Sequence, residues 1–394
     1  MLPNRIELAN LIEGLSLAVD LAEGRPLQHS KDVAYLTLSI GKAVGLPAHQ
    51  MDILYFAGLL HDITITSQEG FCPLCDTVRQ YGMEHLIPVL LETDNVIHTS
   101  RELWDCSGPQ GWCAQEIPLN SRILALAVAI DKVGENKQDF WNWRERIQDY
   151  LKHPAEIPHD PELVKLVKAL LKDRRFTSGL FNLNRDKELE KYRPRHSIPV
   201  NSIMLEILGK AFALFIDQKT PYTANHSWDV AKVAQRIADH LGFDAQTKRN
   251  ILIASLLHDL GKITVPNSIL EKSGPLTPQE FAIIKNHPYY SALILDRIPE
   301  LKLISLWASA HHERLDDSGY HLGTKGDSLP PEAKLIAVAD VYASLAVNRP
   351  YRKCMELREL VNTMNSMTKN NHLDSKYVNV ILELLTEHPC DLLK

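Results

Sequence analysis

His258 and Asp259 stand side by side at the end of the apolar run 251–257, in the stretch ILIASLLHDLGK. An imidazole and a carboxylate at the end of a buried helix are costly unless something satisfies them. A divalent metal ion does so, because neutral His and ionised Asp both bind first-row metals. Gly261 permits a tight exit from the helix, and Lys262 is a flexible cation suited to a phosphate oxygen. Alone, such a pair is a common helix-end coincidence, so the rest of the chain decides its meaning. Further ligand-type residues are His226, His287, His311, His312 and Asp340. His226 opens a helical run, His287 follows PQEFAIIKN, His311 and His312 end LISLWASA, and Asp340 interrupts the apolar LIAVADVYASL. Five histidines and two aspartates exceed the needs of one tetrahedral zinc ion. With one bridging carboxylate they suffice for two ions about 3.5–4 Å apart.

The elements that must carry these residues are helical. Apolar positions recur at three and four over 203–216, 230–241, 251–257 and 335–345, separated by Pro- and Gly-rich turns at 264–276 and 316–331. There is no convincing run of alternating strand residues. The pattern predicts an all-α protein built of helical bundles.

The chain is also a duplication. LANLIEGLSLAVDLAEGRPLQHSKDV (8–33) matches LEILGKAFALFIDQKTPYTANHSWDV (205–230), both ending in His-Ser-x-Asp-Val. In each copy the His-Asp pair lies 32 residues after that His, at His61-Asp62 and His258-Asp259. Segment 117–133 aligns with 329–345, and 157–171 with 371–385. The expected division is a first domain over 1–180, a charged linker over 181–200 and a second domain over 201–394. The first copy keeps His29, His61 and Asp62, and His85 stands where His287 does after a shorter loop. Ser100 and Arg101 replace His311 and His312, Val128 replaces Asp340, and the Gly-Lys after the pair is gone. A site so depleted should not support two-metal hydrolysis, and the first copy reads as degenerate, kept for packing or control. Its surviving ligands then read as hydrogen-bonded core groups.

Four of the six cysteines lie in the first copy: Cys72 and Cys75 as CPLC, then Cys106 and Cys113. Four thiolates could hold a zinc ion or an iron–sulfur cluster; unconnected reduced thiols are the alternative. Disulfides are not expected in an intracellular chain. At 394 residues, 45% hydrophobic and 23% charged, the composition is that of a globular protein long enough for two domains. The net charge of −6 gives no basic face for duplex nucleic acid. The first residues lack a basic segment followed by a long apolar run, and no stretch is long enough to span a membrane. A cytoplasmic protein without a membrane partner is expected.

Taken in order, HSWDV, LLHDLGKITVPNSILEKSGPLTPQEF, KNHPYYSALIL, HHERLDDSGYHLG and VADVYASLAVNRPYRK resemble the HD-GYP family of bacterial metal-dependent phosphodiesterases over 201–394. The resemblance implies that His226, His258, Asp259 and Asp340 hold one ion, with Asp259 bridging to a second held by His287, His311 and His312. It implies iron or manganese as the metal. The substrate it implies is a cyclic dinucleotide, cyclic di-GMP or 3',3'-cyclic GMP-AMP, opened to the linear form by a metal-bridging hydroxide. Lys262 would touch the scissile phosphate or the leaving oxygen. Arg349 and Arg352 match positions that bind phosphate or guanine, or form a solvated charge pair. Tyr320 would bound a base or simply pack. Three departures stand out. Tyr222 replaces the Glu of members with a third metal, so a binuclear site is expected. Asp317 and His321 replace a Gly and a Pro of the loop that shapes the pocket. Ala343 replaces a second Asp. The alternatives are a cyclic-dinucleotide sensor without turnover, or another HD-type nucleotide phosphohydrolase. Homodimerisation is compatible with helical domains of this kind.

Overall fold

Helices with one apolar face must bury it against another element, and here they bury it against each other. The computed structural model describes residues 6–22, 24, 28–63, 77, 79–80, 88–134, 139–152, 157–181, 185–195, 198–217, 225–347, 354–387 and 392. Among them the only strand segments are Ile6–Glu7 and Pro199–Val200, which pair with each other; the rest is helix and connection. The fold is all-α. No helix among the described residues is long and apolar enough to cross a membrane.

The chain divides into two compact units, Glu7–Pro199 and Val200–Lys394 with Met1–Ile6. In the second, helices Ser202–Asp217, His226–His240, Ala245–Leu257, Lys302–Ser309 and Pro331–Ala346 surround the candidate ligands. Asp244 caps Ala245–Leu257, accepting from the backbone N–H of Gln246 and Thr247. The far end of that helix is buried: Ile251, Ile253, Ala254, Leu256 and Leu257 are at most 3% exposed. In the first unit, Leu8–Ala22, His29–Val44, Ala48–Leu60, Pro88–Thr99 and Leu119–Val133 follow in the same order.

One hydrogen-bond pattern recurs within each unit. Ser30 N–H and Oγ donate to Asp20, and Ser227 N–H and Oγ donate to Asp217, ten residues back in both cases. Each pair anchors the start of the helix whose first residue is His29 or His226.

Of the segment expected as a linker, 181–200, the described residues up to Pro199 are instead part of the first unit. Arg185, only 1% exposed, ion-pairs with Asp32 and donates to the carbonyls of Gly179 and Leu180. A charge that deep must be paired, and its partner in the preceding helices fastens Arg185–Glu190 to the unit. The charged composition misled because one of its charges is internal.

The cysteine expectation is also corrected. Cys106 and Cys113 form a disulfide, so they offer no thiolates for a four-cysteine metal centre; Cys72 and Cys75 lie outside the described residues. Titration of free thiols in the denatured, unreduced chain should therefore find at least two fewer than the six cysteines present. Recovery of all six would overturn the pairing.

Candidate metal centre

Every predicted ligand of the second copy arrives at one place. His258 caps the C-terminal end of Ala245–Leu257 and is fully buried; Asp259 follows at 2% exposure. The chain then tightens into the short 3-10 segment Leu260–Thr264. Gly261 is not there for a left-handed exit. A Cβ on it would lie 1.9 Å from the carbonyl oxygen of His287, so glycine is what lets two ligand-bearing segments touch. Ser291 fastens the contact: it accepts from the Gly261 N–H at 2.8 Å and donates to the His258 carbonyl at 2.9 Å. Nothing in the sequence singles Ser291 out, because a small hydroxyl within an apolar helix carries no motif.

The imidazoles are oriented by a repeated device. His258 Nδ1 lies 2.7 Å from the Ser255 carbonyl, His287 Nδ1 2.8 Å from that of Ile284, and His311 Nδ1 2.6 Å from that of Ala308. A backbone carbonyl can only accept, so each Nδ1 carries the proton and each Nε2 presents a lone pair. Those lone pairs converge on Asp259. Its Oδ2 lies 3.2 Å from His258 Nε2 and 3.6 Å from His226 Nε2, and it is ion-paired with Lys262. Its Oδ1 lies 3.2 Å from His287 Nε2 and 3.8 Å from His311 Nε2. Asp340 Oδ1 completes the first side, 3.1 Å from His226 and 3.9 Å from His258. His312 joins His287 and His311 on the second.

Charge follows geometry. Burial opposes ionisation of Asp259, yet His258 and Lys262 hold its carboxyl well below the usual range. Asp340 is buried too and is held down by its contact with His226. Burial and the neighbouring imidazoles push His311 well below its ordinary value, and burial takes His312 to about 3. Ionised carboxylate and neutral imidazole are the forms that bind metal. His258 is burdened by burial, but Asp259 and Asp340 raise it, a sign that the carboxylates demand positive charge at this spot. His258 Nε2 and Asp259 Oδ1 are both enclosed and make no hydrogen bond. Buried polar atoms are seldom left so, and a divalent ion among these donors satisfies them. The residues fit the metal.

Residues 210–377 match the family model described as HD domain. The chain is 28% identical to the 3'3'-cGAMP-specific phosphodiesterase 3 of Vibrio cholerae, over 90% of this chain and 89% of that protein. It is 25% identical to the 3'3'-cGAMP-specific phosphodiesterase 1 of the same organism, over 93% of this chain and 89% of the relative. A probable cyclic di-GMP phosphodiesterase of Vibrio cholerae is 32% identical, over 59% of this chain and 55% of that one. The solved structure of a cyclic GMP-AMP specific phosphodiesterase of V. cholerae (V-cGAP3) superposes with a TM-score of 0.67 at 25% identity, covering 97% of this chain and 98% of the other. The chain thus carries an HD domain over 210–377 and is similar along most of its length to these phosphodiesterases. It is a metal-dependent HD-domain protein.

The other candidate residues surround this centre or lie outside the described residues. Lys262 reaches Asp259, with its side chain 20% exposed, and so stands between the ligand and the rim. Tyr320 packs its ring 4.8 Å from that of His312 and lies beneath the Lys285 ammonium; it supports a ligand. Arg349, Arg352, Tyr222 and His85 lie outside the described residues. In the altered loop Asp317 and His321 both have positive φ, 63° and 97°. Asp317 accepts the Gly326 N–H at 2.9 Å, so its side chain compensates where the family's glycine relies on freedom alone. The equivalent loop of the first unit is built alike, with Cys106 at φ 69° and an Asp105–Ser107 turn matching Asp316–Ser318.

Proposed function

We propose that the second unit opens a cyclic dinucleotide to the linear dinucleotide, with two divalent ions, iron or manganese, held by His226, His258, Asp259, His287, His311, His312 and Asp340. The observation that carries this reading is the splitting of Asp259: its two oxygens face two different groups of imidazoles. Bound there, such ions polarise a phosphoryl oxygen and supply an activated water near neutral pH. The protein's own part is positional. Carbonyls of Ser255, Ile284 and Ala308 fix the imidazole tautomers, and Ser291 holds two ligand segments in register. Lys262 is placed to turn from Asp259 to a phosphate oxygen, a compact cation where charge develops. We favour 3',3'-cyclic GMP-AMP, because two relatives whose names specify it align over 90% and 93% of the chain, whereas the cyclic di-GMP phosphodiesterase described above aligns over 59%. The first unit, lacking counterparts of His311 and His312, has no place in this reaction and is read as regulatory.

The purified chain loaded with iron or manganese should linearise 3',3'-cyclic GMP-AMP, and cyclic di-GMP more slowly, as followed by chromatography of the products. No turnover of either compound with either metal would overturn the proposal. Lys262→Gln should reduce kcat by about 10–100-fold while leaving the bound metal in place. An unchanged kcat would remove Lys262 from the reaction.

A further inference from the structure

The first unit contains a buried cluster that decay does not explain. His29, His61 and Asp62 are 5%, 7% and 5% exposed. His29 Nε2 lies 3.0 Å from His61 Nε2 and 3.1 Å from Asp62 Oδ2, and His61 Nε2 lies 3.4 Å from that same oxygen. Ligand bonds of about 2.1 Å at octahedral or tetrahedral angles place neighbouring donors about 3.0–3.4 Å apart. The triangle has the dimensions of one face of a coordination shell.

The tautomers agree. His61 Nδ1 is 2.9 Å from the Gly58 carbonyl, the same three-residue step back that orients His258, His287 and His311. Its Nε2 therefore presents a lone pair to the triangle. His29 Nδ1 is 2.7 Å from Asp131 Oδ2, a carboxylate on the outer nitrogen that fixes the ring and raises its basicity, as beside metal-bound histidines generally. Asp131 aligns with Ala343 and lies about one helical turn beyond Val128, the equivalent of Asp340, on Leu119–Val133. A proton on His29 Nε2 satisfies this triangle, and a divalent cation in its place binds all three donor atoms at once.

We infer that the first unit binds one divalent first-row transition-metal ion through His29, His61 and Asp62, with Asp131 as a positioning residue. Ser100 and Arg101 stand in place of His311 and His312, and the described residues of this unit bring together the donors of a single ion, so the inferred site is mononuclear. Two imidazoles and one carboxylate suit iron(II) or manganese(II).

The test is a metal count on the full chain, stripped with chelator, reloaded with manganese(II), desalted and measured by elemental analysis. His61→Ala should lower the content by one ion per chain relative to the unsubstituted protein, with the helical circular dichroism retained. If His61→Ala does not fold, Asp62→Asn is used and the same loss is expected. A second arm removes the other centre: His258→Ala with His311→Ala should leave one ion per chain, with the electron paramagnetic resonance spectrum of isolated manganese(II), and His61→Ala added to it should leave none. Asp131→Asn should keep the ion but weaken its binding about 10–100-fold. An unchanged count on His61→Ala or Asp62→Asn, or no ion in the His258→Ala, His311→Ala protein, overturns the inference. None of these readouts depends on the substrate assigned to the second unit.

Discussion

Asp259→Asn is expected to lower turnover by about 10³-fold or more and to release metal from the second unit. Loss of an outer partner of a metal ligand typically costs about 10–100-fold; this residue is the carboxylate that both imidazole groups share. Its Oδ1 and Oδ2 face His287 and His311 on one side, His226 and His258 on the other. An amide keeps the size but loses the charge and turns one oxygen into a donor, which then faces imidazole lone pairs. Metal content and kcat measured on the same preparation check the result. Retention of metal with full activity would mean that Asp259 does not bridge.

Gly261→Ala should be nearly as damaging, although glycine to alanine within a helical segment is ordinarily mild or favourable. The new methyl would sit 1.9 Å from the His287 carbonyl oxygen and meet the Ser291 backbone N–H at 2.7 Å. Those atoms belong to the backbone of His287–Leu295 and cannot rotate aside. The helix must shift, carrying His287 away from Asp259. Overpacking of this kind costs about 1–3 kcal/mol, and a displacement near 1 Å at a reacting centre costs about 10²-fold in rate. A fall in the denaturation midpoint together with a loss of kcat is the expected pair of results. A variant as stable and active as the parent would show that the contact is not tight.

Both effects spring from residues that stand together in the sequence, yet for different reasons. His258 and Asp259 were legible as ligands because an apolar run ending in a charge and an imidazole has few satisfied outcomes. Gly261 was legible only as a glycine. Its role in bringing two segments into contact required the position of His287, 26 residues away in the chain.

The sequence by itself determined the all-α class, since apolar residues at three and four have one regular reading. It determined the duplication, since order and spacing recur across the whole chain. It also picked out the candidate ligand set of the second copy, seven metal-type residues that the fold brings together. Tertiary structure alone decided how they pair. The division of Asp259 between two imidazole groups, the Lys262 ion pair, the packing of Tyr320 on His312 and the anchoring of Arg185 by Asp32 join residues from separate elements or depend on a rotamer. The same is true of the first unit, where alignment counted a carboxylate lost at Val128 and the fold supplied Asp131 one turn later. Residue type and spacing record what a helix can present. Which neighbour receives it depends on how the helices pack.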